Sequence, residues 1–170
     1  IGQNKAAMQL QGVSPMVIED YAKALDILYK DRVARKQITN QEQYVEDLCK
    51  TNSLTLPTNF KSNLVKCITA GGEWLTWFLG YHPSEAIRKV TCPTMALNGT
   101  LDLQVLSKDN LPVIKANLPH NEKHLIKEYD SLNHLFQRCT PVTALNYGGI
   151  EETISEEVLR DLVDWIMDIK

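Results

Sequence analysis

Asp102 and His134 are the two residues of this chain whose surroundings suit proton transfer. Asp102 lies in "NGTLDLQV", just past one short apolar run, and His134 lies in "SLNHLFQR", just past another. A carboxylate that accepts one imidazole N–H fixes the tautomer and leaves the second ring nitrogen as a base. It also stabilises the imidazolium that forms when a proton is taken up. Each residue alone has an ordinary reading, because an aspartate after Asn-Gly is a turn former and a single histidine is most often structural. Their shared position after consecutive strands sets them apart.

Other combinations are weaker. His120 and His124 in "HNEKH" are four apart, a zinc-ligand spacing on a helix, but Pro119 opens the segment and a strand is expected from 123. They read as a polar loop without a third ligand, and no metal or cofactor is called for. Glu128 and Asp130 compete with Asp102 for the imidazole. Glu128 falls within a strand, where side chains stand along the sheet normal, so Asp102 is preferred to either. The four cysteines, Cys49, Cys67, Cys92 and Cys139, form no C-x-x-C pair. None sits in a strained turn with local oxyanion donors, so none reads as a nucleophile.

The elements that must position the pair lie beyond Pro83. "CPTMALNG" at 92–99 and "KHLIKEY" at 123–129 read as short strands around a helix of about 109–118, started near Asp109 or Asn110 because Pro112 is costly deep inside a helix. A strand, helix, strand unit of about 35 residues makes two parallel strands with a right-handed crossover. In such a sheet both following loops emerge at one edge, where ligands collect. "SEEVLRDLVDWIMDIK" is a closing helix with Ser155 as N-cap and Val158, Leu159, Leu162, Val163 and Ile166 on one side, expected to pack on the sheet.

Upstream, the chain reads as helical. Ser14-Pro15 starts a helix of about 15–36 carrying Ile18, Tyr21, Leu25 and Leu28. Asn40 with Gln43 resembles a capping box for a second, and Pro57 precedes a third, interrupted at Gly71-Gly72. "EWLTWFLGY" then carries Trp74, Trp77 and Phe78 and is too apolar for a solvated helix, so it should bury itself. The basic run "DRVARK" reads as a solvated helix end.

"CPTMALNGTLDLQV", "SLNHLFQ" and the closing helix together resemble the carboxyl-terminal part of an α/β-hydrolase, in the capped branch of serine esterases, acyl hydrolases and peptidase-like enzymes. The resemblance covers residues 84–170. Residues 1–83 resemble the family's helical cap or lid only in being helical and upstream. It implies an α/β fold with an incomplete sheet, Asp102 as triad acid and His134 as general base. It also implies a small-molecule ester or amide substrate, with Trp74, Trp77 and Phe78 as candidate walls of its pocket.

The chain departs from that family at one point. A nucleophile elbow, G-x-S-x-G, exposes the serine and supplies an oxyanion-hole N–H. The glycines at 2, 12, 71, 72, 80, 99, 148 and 149 bracket no serine or cysteine at that spacing. Family order is nucleophile, acid, histidine, so the serine is expected upstream of residue 1 and these residues form the carboxyl-terminal portion of a longer enzyme. Loss of a triad nucleophile costs on the order of 10⁶ in turnover, so the chain alone is expected to be inactive.

A net charge of −3 without a broad basic patch excludes a nucleic-acid surface built on phosphate neutralisation. No segment approaches the roughly 20 apolar residues of a membrane span, and 44% hydrophobic with 23% charged residues is an ordinary globular balance. No signal peptide is visible, and compartment is unknown. Two strands are too few for an independent sheet, so their unpaired edges invite self-association. A non-enzymatic helical binding or interaction module built on "EWLTWFLGY" is the alternative reading.

Overall fold

The computed structural model describes residues 1–169. Its described residues form eight α-helices and a two-stranded parallel sheet that does not close, an α/β arrangement. The chain divides into two compact units, Gln3–Tyr81 and the residues from His82 on.

The first unit is helical: α1 (Gly2–Leu10), α2 (Pro15–Val33), α3 (Gln41–Thr51), α4 (Thr58–Thr69) and α5 (Gly72–Gly80). Ser14 Oγ accepts from Val17 N–H, and Pro15 occupies the first helical position, so α2 starts where its sequence directs. It ends at Val33, short of residue 36, because Arg35 turns left-handed at φ 54°. Arg35 N–H then reaches Arg32 O, and Lys36 N–H reaches Asp31 O. Asn40 Oδ1 caps Gln43 N–H at 3.0 Å, but the Gln43 side chain goes on to Asp47, so only half of a capping box forms. Ile18, Leu25 and Leu28 of α2 meet Val45, Leu48 and Leu64 of α3 and α4 in an apolar core.

In this unit one expectation holds in part and one fails: residues 33–36 of the basic run are exposed at the end of α2. Arg32 of "DRVARK" is not simply solvated. Its guanidinium donates to Thr76 Oγ1, Cys67 O and Gly72 O, tying α2 to the α4–α5 junction. And "EWLTWFLGY" does not bury its aromatics. Leu75, Thr76 and Leu79 are the half-buried positions of α5, which packs on α2, while Trp74, Trp77 and Phe78 fall on the other side of the helix. There Trp74 stacks on Phe78 and Trp77 on Tyr81, both pairs at 5.2 Å.

The second unit runs α6 (Pro83–Ile87), β1 (Met95–Gly99), α7 (Ser107–Asn117), β2 (Leu125–Tyr129), a 3₁₀ turn (Tyr147–Gly149) and α8 (Glu156–Asp168). β1 and β2 pair in parallel from Met95 opposite Leu125 to Gly99 opposite Tyr129, with α7 as the crossover. The crossover helix starts at Ser107, earlier than Pro112 suggested. Leu106 O accepts from Asp109 and Asn110 N–H and from Asn110 Nδ2, which anchors the first turn ahead of the proline. Packing of α7 on both strands offsets the single backbone bond that Pro112 cannot make.

Ser155 occupies the N-cap of α8, yet its side chain makes no capping bond; its N–H goes to Phe136 O at 2.8 Å. α8 docks along β2 through Val158, through Asp161 and through Trp165 Nε1, which donates to Lys123 O. The apolar side expected on the sheet lies instead in solvent, with Leu159, Leu162, Val163 and Ile166 exposed. These positions are turned about 100° around the helix from those facing β2, and no third strand is present among the described residues to cover them.

Candidate active site

The loops that follow β1 and β2 are bonded to one another, which is how residues remote in sequence meet. Past the paired strands, Thr100 N–H donates to Tyr129 O at 2.9 Å and Leu101 N–H to Leu132 O at 3.0 Å, continuing the ladder beyond the sheet. Gly99 permits this approach, since a Cβ there would collide with the Leu132 carbonyl. Leu132 and Tyr129 are buried with Val158 beneath the junction.

Asp102 is only 4% exposed, and four donors surround its carboxylate. Oδ1 accepts from the backbone N–H groups of Gln104 and Val105 at 2.9 and 2.8 Å; Oδ2 accepts from Asn98 Nδ2 at 2.9 Å. The fourth is His134, whose Nδ1 lies 2.9 Å from Oδ2. An ionised carboxylate can only accept, so Nδ1 carries a proton, and in the neutral ring Nε2 is the acceptor. His134 is 35% exposed at its side chain, and no hydrogen bond from Nε2 to a described residue is present. A buried acid thus faces an imidazole open on its far side, an arrangement that can exchange a proton at Nε2.

Asp130 is engaged elsewhere, its oxygens accepting from Thr100 Oγ1 and Ser131 Oγ, and Glu128 is an exposed strand residue. His124 is structural: Nδ1 accepts from Thr94 N–H at 3.0 Å, which places the ring proton on Nε2, 3.0 Å from Pro119 O. No group of three metal-ligating side chains occurs among the described residues. Burial pushes the Cys139 thiol up, away from the reactive thiolate.

The turn that carries His134 is held by two buried amides that the sequence did not single out. Asn133, 1% exposed, accepts from Leu135 and Gln137 N–H through Oδ1 and donates through Nδ2 to Gln137 Oε1. Gln137 Nε2 in turn donates to Tyr147 O and Glu152 O. Ser131 and Phe136 flank the turn at φ 58° and 57°, a costly conformation for a bulky side chain. Phe136 is retained there by its edge-on contact with Tyr129 at 6.1 Å and by the Ser155 N–H on its carbonyl. Asparagine and glutamine around a loop histidine are the only sequence signal of this lock.

Trp74, Trp77 and Phe78 belong to the first unit, where they stand 65%, 62% and 53% exposed. No protein-family model, curated protein or solved structure matches this chain.

Proposed function

We propose that this chain supplies the acid and the histidine of a Ser-His-Asp hydrolase that cleaves a small-molecule ester or amide, the serine and its oxyanion hole being contributed by residues other than these 170. The observation that supports the reading is the Asp102–His134 contact of 2.9 Å, with the acid buried and Nε2 unoccupied. In the reaction, His134 Nε2 takes the proton of a serine Oγ as that oxygen attacks the carbonyl carbon. The imidazolium then returns the proton to the leaving alcohol or amine, and a water attacks the acyl-serine by the same route. Asp102 holds Nδ1–H throughout and offsets the transient positive charge. Without a nucleophile, the pair alone has nothing to deprotonate productively.

A fluorophosphonate probe tests both parts. The natural protein that contains these residues is expected to be labelled at a serine in a G-x-S-x-G turn, while the 170-residue chain stays unlabelled. A labelled 170-residue chain overturns the assignment of the nucleophile elsewhere, and an unlabelled natural protein overturns the hydrolase reading.

One observation favours a second reading. The stacked and exposed aromatic side of α5 suits a helical module that binds a partner, and under that reading Trp74→Ala would abolish binding while Asp102→Asn would leave it intact.

A further inference from the structure

We propose that Tyr147 is a positioning residue for the Asp102–His134 pair, acting from the segment of residues 139–155 that joins the histidine turn to the last helix. The proposal rests on the reading of that pair as acid and base of a hydrolase. Its basis is a closed ring of hydrogen bonds. Asp102 Oδ1 accepts from Gln104 N–H at 2.9 Å, and Gln104 Nε2 donates to Tyr147 Oη at 2.7 Å. The Tyr147 carbonyl accepts from Gln137 Nε2 at 3.3 Å, and Gln137 Oε1 accepts from Asn133 Nδ2 at 2.9 Å. Asn133 precedes His134, whose Nδ1 returns to Asp102 Oδ2 at 2.9 Å.

Tyr147 therefore touches both arms of the site, the acid loop through its phenol and the histidine turn through its carbonyl. Parallel pairing of Gly99 with Tyr129 fixes where the two loops leave the sheet, but it sets neither loop's tip. A tyrosine with two side-chain torsions is a stiff spacer between tips, and it is half-buried, which limits its alternatives. Positioning matters because a displacement of about 1 Å in a catalytic group costs on the order of 100-fold in rate. The phenol accepts the Gln104 proton, so the bond is lost equally by removing the phenol oxygen or the amide.

The test reads the imidazole tautomer directly, by nitrogen NMR on the 170-residue chain with ¹⁵N-labelled histidine at a pH where the ring is neutral. His134 is expected in the Nδ1–H form and His124 in the Nε2–H form, the latter serving as an internal control. Tyr147→Phe and Gln104→Ala should each lower the Nδ1–H to Nε2–H ratio at His134 by about two- to fivefold, the range expected for one solvent-accessible hydrogen bond. The double variant should go no further, because both changes remove the same bond. An unchanged ratio in both single variants overturns the proposal, as does a shift that appears equally at His124 and so reports general loosening. If Tyr147→Phe fails to fold, Gln104→Ala at its exposed position decides alone. A natural protein that resists the fluorophosphonate probe would overturn the hydrolase reading without altering this ratio, so the two failures are distinguishable.

Discussion

His134 has one protein partner on its ring and Asp102 has four, an imbalance that dictates what each substitution does. Asp102→Asn presents an amide donor to Nδ1 and selects the wrong tautomer, so under the proposed function turnover of the natural protein should fall by about 10⁴-fold. Asp130→Asn should leave turnover within a few fold, because Asp130 is bonded to Thr100 and Ser131; steady-state kinetics of the two variants side by side check both. Gly99→Ala forces a methyl group into the Leu132 carbonyl and should cost about 3 kcal/mol, readable in thermal or denaturant unfolding. Asp102 and His134 were legible in the sequence because parallel topology alone brings the two loops to one edge. Asn98, Gln104, Asn133, Gln137 and Tyr147 were not: Asn98 and Gln104 pair as the loop after β1 folds back, and Asn133 with Gln137 across a turn that has left-handed residues at Ser131 and Phe136. Neither serine nor phenylalanine advertises a positive φ.

At the scale of elements, the closing helix is joined to its strand by a titratable cluster. Hydrogen bonding from Lys127, then from Tyr129, holds the Asp161 carboxyl below its ordinary range. Burial, then the bond to Asp161, pushes the Tyr129 phenol above its own. A lowered acid contributes stability that is present above its ordinary pKa near ~4 and is lost as pH falls through the lowered value. A raised phenol contributes stability present below ~10 and lost as pH climbs beyond it. Docking of α8 is therefore firmest between those limits. Asp161→Asn should flatten the acid side of the unfolding midpoint plotted against pH, relative to the unsubstituted chain, and reduce the alkaline loss as well. Both strands and six of the eight helices followed from spacing, but α1 and α6, the start at Ser107 and the end at Val33 did not. Tertiary packing outweighed Pro112 at the start of α7, and a left-handed arginine closed α2.

For the whole molecule, the division near Tyr81 was visible as a change from helical periodicity to strand, helix, strand texture. What the sequence misjudged was how much of its apolar surface would find cover. The α8 stripe of Leu159, Leu162, Val163 and Ile166 stays exposed, and a groove of about 460 Å³ lined by Ile87, Val90, Ala96, Leu111 and Ile114 runs beside β1. Such surfaces and an open strand edge favour association between copies. The sedimentation-average mass of the isolated chain should rise with concentration, and Leu162→Lys with Val163→Glu should reduce the rise. A constant monomer mass at high concentration would refute this.

The span of 32 residues that the acid–histidine contact closes has a kinetic consequence. Each hydrogen bond made to the Asp102 carboxylate comes from Asn98, Gln104, Val105 or His134, so no donor lies more than one strand-helix-strand span away. Closing a loop of that size costs little more entropy than closing one half as long. Pairing of residues about 30 apart in a parallel sheet is non-local and slow to form, so the acid and the imidazole meet only once β1, α7 and β2 have condensed.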